Sequence, residues 1–340
     1  AMDGILYFTT TADGASGTNS QGEELFRSDG THDGTYRVKD ISVYDFWYPS
    51  SYIHDLTPWH HPTLGWMLYF VAWDGANGDE PWRSDGTEAG TVMLADIGVG
   101  NDTGSYPQEL TLVSNTLFFT CNGNTLYASD GTLGASEGGS PPQSVATLPN
   151  GPESLTEANN TLFFVYDDGT SGKELWTSDG TAPGTVLVED IYPGVAASSP
   201  ASLVEVGSAL FFSATDPSHG TELWKSTDGT AGNTSLVSTT LSSTLGSSPD
   251  FLVGVINRVF FRADDGSNGV ELWSSDGTAG GTAMVRNIHP TGSGEPYDLF
   301  AYNGTLLFQA NDGTHGYELW KSDGTSAGTA MIKEINAGTG

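Results

Sequence analysis

The residues best equipped for chemistry gather in one aromatic stretch, residues 42–65, which carries Trp47, Tyr48, His54, Trp59, His60 and His61 beside Asp45 and Asp55. Three uses fit those residue types. The plainest is an ordered segment whose rings cap the core. Aromatic faces with polar neighbours also suit a sugar ring, so Trp47, Tyr48, Trp59 and His60 form a candidate carbohydrate platform, with His54 and His61 next to it. Imidazole and carboxylate together suit zinc or another transition metal, although the spacing follows no metal signature. A second constellation is repeated: Asp167-Asp168-Gly, Asp264-Asp265-Gly and Asn311-Asp312-Gly each lie a few residues before a Glu. Clustered carboxylates and turn carbonyls could hold calcium, which takes six to eight oxygens. Asp-Gly is also common hairpin chemistry, and the alternating ligands of a recognised calcium loop are missing, so turn formation is the first reading and calcium the second.

Signatures of catalysis are absent. The chain has no Gly-x-Ser-x-Gly elbow, His-Glu-x-x-His, phosphate-binding loop or dinucleotide fingerprint. Carboxylate pairs abound, but nothing in their spacing selects one for glycosidic chemistry. Cys121 ends an apolar run, Leu117-Phe-Phe-Thr-Cys121, and reads as a small buried residue. A Gly-Ser-Pro loop over residues 133–143 offers nothing reactive beyond Glu137.

The elements that must position these groups are written as a repeat. Versions of Glu-Leu-Trp-x-Ser-Asp-Gly-Thr-x-x-Gly-Thr place an Asp-Gly-Thr turn at Asp29, Asp85, Asp130, Asp179, Asp228, Asp276 and Asp323, 45 to 56 residues apart. That period, filled with short apolar runs and turn residues, predicts an all-β, seven-bladed β-propeller of four-stranded antiparallel blades forming a single domain over residues 1–340. Within residues 200–239 the four strands read as 200–206, 209–213, 222–226 and 234–238, joined by connections too short for crossover helices. In the third strand, a period of two places Glu and Trp on one face and Leu on the other. Trp82, Trp176, Trp224, Trp273 and Trp320, with Phe26 and Tyr127 as substitutes, are therefore expected as wedges between blades. The seven turn aspartates are expected to cap exposed turn amides.

First strands are legible only six times, beginning near His54, Pro107, Pro152, Pro200, Pro249 and Pro296, while residues 4–10 already read as a second strand. The first blade is thus expected to lack its innermost strand, supplied by a longer chain or by a partner. Composition bounds the partners: 42 Asp plus Glu against 11 Lys plus Arg give a net charge of -31, which repels nucleic acid and anionic membrane. No stretch is apolar for the length of a membrane span.

At Glu174–Thr181, Glu271–Thr278 and Glu318–Thr325 the intact motif resembles the bacterial ELWxxDGT-repeat family, and the resemblance runs through essentially the whole chain. It implies β-propeller-like units in large secreted or surface proteins without an assigned reaction. Departures are local: Pro81 replaces Leu in Glu80-Pro81-Trp82, Thr125-Leu-Tyr127 loses the Glu, and Ser226-Thr227-Asp228 carries an extra residue, so these blades are expected to be looser at that edge. The combined expectation is a noncatalytic extracellular or cell-surface binding and scaffold propeller. Its partners would be glycans, other surface proteins or flanking parts of its own longer chain. The alternatives are a carbohydrate-binding lectin and a polysaccharide-acting hydrolase or lyase. No cofactor is required, with calcium as the one candidate.

Overall fold

The computed structural model describes residues 1–11, 22–42, 50–98, 104–238 and 246–335. These residues form seven antiparallel sheets, each a simple meander in chain order. Six sheets have four strands, and the first has three, Leu6–Thr11, Glu23–Ser28 and Tyr36–Lys39. The expected missing strand is therefore absent from the described part of the first sheet. In the fifth sheet the strands are Ala201–Val206, Ala209–Asp216, Gly220–Ser226 and Thr234–Ser238. The chain packs as two compact units, residues 1–155 with 180–185, and residues 156–179 with 186–340.

Each unit is built by stacking sheets face to face, which explains why the middle strands are apolar on both sides. In the first unit, Leu25 of the first sheet packs against Leu68, Phe70 and Trp82 of the second. In the second unit, Phe163 and Leu175 meet Leu210, Phe212 and Trp224, and Phe211 and Leu223 meet Phe261 and Trp273. Phe260 and Leu272 then meet Leu306, Phe308 and Trp320. One contact is thus repeated: the Leu face of a third strand receives the Trp face of the next sheet. Burying each such ring contributes about 2–3 kcal/mol.

First strands share a device that the sequence concealed. Asp55, Glu109, Ser154, Ser202, Phe251 and Asp298, each the second residue of its strand, have φ between 52 and 58°. In the five of these strands whose pairing is described here, the register shifts beside that residue, so the strand carries a bulge. Only side-chain or tertiary support makes a non-glycine residue tolerable there. Asp55 and Glu109 show it: the Asp55 carboxylate accepts from the Glu109 amide, and Glu109 in turn accepts from the amides of Ser154 and Leu155.

The substitution at Pro81 has the expected effect. Proline lacks the donor that leucine uses elsewhere, and the fourth strand of that sheet shrinks to Val92–Met93, paired only with Trp82 and Arg83.

Candidate functional site

The repeated polar residues come first, because what they do decides which groups remain for a ligand. The motif Glu is buried in each of Glu24, Glu80, Glu174, Glu222, Glu271 and Glu318. Its carboxylate reaches the segment that leads to the next sheet. Glu24, Glu80, Glu174, Glu271 and Glu318 accept from the amides of Ile41, Ile97, Ile191, Ile288 and Ile335, each 17 residues onward. Serine hydroxyls complete four of these sites: Ser51 on Glu24, Ser105 on Glu80, Ser198 on Glu174 and Ser247 on Glu222. Burial raises the carboxyl pKa of Glu24, Glu80, Glu174 and Glu271, against the lowering by these donors. This tether was missed at the sequence level, although a Glu followed 17 residues later by Ile was there to be read.

Turn aspartates act as caps. Asp276 Oδ1 accepts from the Thr278 amide at 3.0 Å and the Thr278 hydroxyl at 2.7 Å, and Thr278 Oγ1 accepts from the Gly281 amide at 3.0 Å. The same cap forms at Asp29, Asp85 and Asp323, and in part at Asp130 and Asp228. A Cβ on Gly34, Gly90, Gly281 or Gly328 would fall on the capping carboxylate, which accounts for the second glycine of the motif.

The paired acidic turns close in the same manner. Asp168 accepts from Thr170 and Ser171, Asp265 from Ser267 and Asn268, and Asp312 from Thr314 and His315; Asp167 and Asp264 accept from Gly169 and Gly266. Among the described residues no three His, Cys, Asp or Glu side chains converge as a metal site. These carboxylates thus point to amides of their own turns, which is the hairpin reading of the pattern.

Residues 54–61 are a regular first strand of the second sheet, and its alternation separates the candidates. Trp59 and His61 face inward and are buried, so they do not join an exposed platform. Trp59 packs on Tyr69 at 5.4 Å between ring centroids. His61 Nε2 lies 2.7 Å from the Asp130 carbonyl, while Nδ1 faces the amides of Thr63 and Leu64. That pattern assigns the proton to Nε2 and makes the ring a structural link. Nearby, Arg83 reaches the Gly131 carbonyl at 2.9 Å and Glu137 at 2.5 Å, tying down the Gly-Ser-Pro loop. His60 is exposed against Trp66, 5.1 Å between ring centroids. It lies about 20 Å along the strand from His54 at the rise of an extended chain. The three histidines therefore do not meet. Trp47, Tyr48 and Asp45 lie outside the described residues.

A different set does converge. Tyr52, His54, Trp73 and Asp79 line a cleft of about 450 Å³ in the first unit. The Tyr52 and Trp73 rings meet edge to face with centroids 6.3 Å apart. His54 Nδ1 is 3.7 Å from Asp55 Oδ2, and this partnership raises the imidazole pKa while lowering that of the carboxyl. Burial raises the pKa of Asp79. Both Asp55 oxygens are not equally free, since Oδ2 also accepts from the Glu109 amide at 2.7 Å. The cleft presents two aromatic rings, one acceptor carboxyl and one imidazole donor. His54 alone of this set stood among the sequence candidates; Trp73 and Asp79 end and begin neighbouring strands, and only their pairing brings them together.

No family model and no curated protein matches this sequence. Solved structures do. A puromycin-hydrolysing peptidase of Mycobacterium tuberculosis superposes with a TM-score of 0.52 at 12% identity, over 99% of this chain and 52% of that one. A structure from work on two prolyl endopeptidases superposes with a TM-score of 0.50 at 11% identity, over 82% of this chain and 42% of that one. The chain spans about half the length of these peptidases. At such identity the likeness shows the fold alone, and the fold class is the β-propeller.

Proposed function

We propose that this chain is a noncatalytic recognition propeller of a secreted or cell-surface assembly, and that the Tyr52–Trp73 cleft is its binding site for a carbohydrate. The observation that carries the reading is the convergence of two aromatic rings with His54 and Asp79 in one open cleft. An aromatic face covers the apolar side of a pyranose, while an acceptor and a donor beside it fix the hydroxyls. Neutral sugars are favoured, because a net charge of -31 repels anionic ones. The noncatalytic reading draws support from the chemistry of the cleft: Asp55, the second carboxyl at hand, is already engaged by His54 and the Glu109 amide.

A glycan array followed by calorimetry tests this. The intact chain should bind a neutral oligosaccharide, and Trp73→Ala should weaken binding at least about tenfold, the loss of roughly 1.4 kcal/mol, with an unchanged unfolding midpoint. An array without hits, or binding indifferent to Trp73→Ala, defeats the assignment. Release of reducing ends from a bound polysaccharide would replace the lectin with a hydrolase.

A further inference from the structure

The repeated contact between sheets has two unmatched halves, one on the first sheet and one on the last. In the last sheet, Tyr297–Tyr302, Thr305–Asn311, Tyr317–Ser322 and Ala330–Lys333 leave one face bare. Its third strand alternates: Glu318, Trp320 and Ser322 are buried, whereas Tyr317, Leu319 and Lys321 are exposed. The corresponding strand of the sixth sheet, Val270–Ser275, is buried from Glu271 onward. Phe300, Leu307, Tyr317, Leu319 and Ile335 line a groove of about 440 Å³ on this bare face. It is the Leu face, the one that elsewhere receives the next sheet.

The matching half is on the first sheet. Leu6, Phe8 and Phe26 hold the positions that Leu68, Phe70 and Trp82 hold in the second sheet and Leu306, Phe308 and Trp320 in the seventh. Yet Leu6 is 54% exposed, and Phe8 and Phe26, stacked at 5.9 Å, are only half-buried.

Polar contacts at the joint repeat as well. The fourth residue of the motif is a cation in several sheets and donates to the turn glycine of the next sheet. Arg27 reaches the Gly86 carbonyl at 3.5 Å, Arg83 that of Gly131 at 2.9 Å, and Lys225 that of Gly277 at 2.7 Å. A Cβ on each of these glycines would touch the preceding sheet: Tyr7 at Gly86, Tyr69 at Gly131 and Phe211 at Gly277. Lys321 occupies the same motif position and is exposed on the bare face. Gly30, the turn glycine of the first sheet, meets nothing within 4 Å among the described residues.

We infer that the bare face of the last sheet is an association surface for the first sheet of a second copy of this chain. Lys321 of one copy donates to the Gly30 carbonyl of the next, and Leu307 and Leu319 pack on Leu6, Phe8 and Phe26. The occupant follows from continuity: this contact is the one made at the sheet joints within each unit, with the same residue types in the same motif positions. Because the two surfaces differ, the contact is head-to-tail, and copies add without a built-in limit unless the rotation closes a ring. Mutual repulsion between copies of charge -31 opposes it, so salt should strengthen association.

Sedimentation velocity across a concentration series, at low and high salt, tests the inference. Mass should grow with concentration and salt, while Lys321→Glu and, separately, Leu319→Glu should each weaken association at least about tenfold. Both side chains are exposed, so an unchanged unfolding midpoint will certify the variants. A second arm mixes His32→Cys with Lys321→Cys, joined by a short bismaleimide. Cys121 is buried with its thiol pKa pushed up to about 12 and stays silent. Crosslinked heterodimer should form well above the level of either variant alone. A chain that remains monomeric at every concentration and salt, association indifferent to Lys321→Glu, or no excess of heterodimer overturns the inference.

Discussion

At the scale of single residues, the motif Glu is the most constrained group in the repeat. Glu174 accepts from the amides of Ile191, Tyr192 and Ser198 and from the Ser198 hydroxyl, all inside a buried segment. Glu174→Leu would leave these donors without partners and should cost about 3 kcal/mol or more, read from the urea midpoint. Glu174→Gln keeps the shape and one acceptor and should cost less. Its cost should also depend on pH. Burial raises the Glu174 pKa above its ordinary 4.5. The folded chain therefore holds this proton more tightly than the unfolded chain, and the resulting stabilisation is full below pH 4.5 and lost as pH rises through the folded value. Denaturation curves on either side of that range should show the penalty of Glu174→Gln shrinking as pH increases; a penalty that grows instead would reverse the assignment. Exposed caps act in the opposite sense. The Thr31, Thr230 and Thr325 donors hold Asp29, Asp228 and Asp323 below the ordinary 3.8, so their contribution fades as pH falls. Sequence reading placed the turn aspartates in their role because a cap is local, made with residues two positions away. It gave the Glu no role because its partners lie 17 and about 25 residues onward, in the next connection.

Elements were the most legible scale. First strands foreseen near Pro107, Pro152, Pro200, Pro249 and Pro296 begin at Gln108, Glu153, Ala201, Asp250 and Tyr297, one residue later in each case. Proline cannot donate to a ladder, so the strand starts behind it. What stayed hidden is the bulge at Asp55, Glu109, Ser154, Ser202, Phe251 and Asp298, because residues of such different types share only a backbone conformation. Turn chemistry offers a direct comparison in neighbouring glycines. A Cβ on Gly280 meets nothing within 4 Å, whereas one on Gly281 collides with the Asp276 carboxylate. Gly280→Ala should shift stability by less than about 0.5 kcal/mol. Gly281→Ala should cost about 1–3 kcal/mol by displacing the cap, measured as the difference in unfolding midpoint. Equal effects of the two would show that the cap is incidental.

For the molecule as a whole, repetition and charge set the behaviour. A net charge of -31 makes the compact state repel itself. Raising salt from about 0.01 to 0.15 M shortens the screening length from about 30 to 8 Å, so the thermal midpoint should rise over that interval. Calcium and magnesium at equal ionic strength should raise it alike, since the paired aspartates are bound to their own turn amides; a selective calcium shift would restore a calcium site to those turns. The sequence by itself determined the count of sheets, their meander order, the faces that carry Trp and Leu, and the short inner strand set of the first sheet. These rest on period, alternation and turn residues, interactions that span at most a few positions. Tertiary structure alone decided which candidates meet. Trp59 and His61 turned inward because one strand must alternate, Trp73 and Asp79 joined Tyr52 and His54 because three strands begin or end at one place, and the last sheet kept a bare Leu face. Convergence of residues distant in the chain depends on how sheets pair and stack, and no local pattern encodes that.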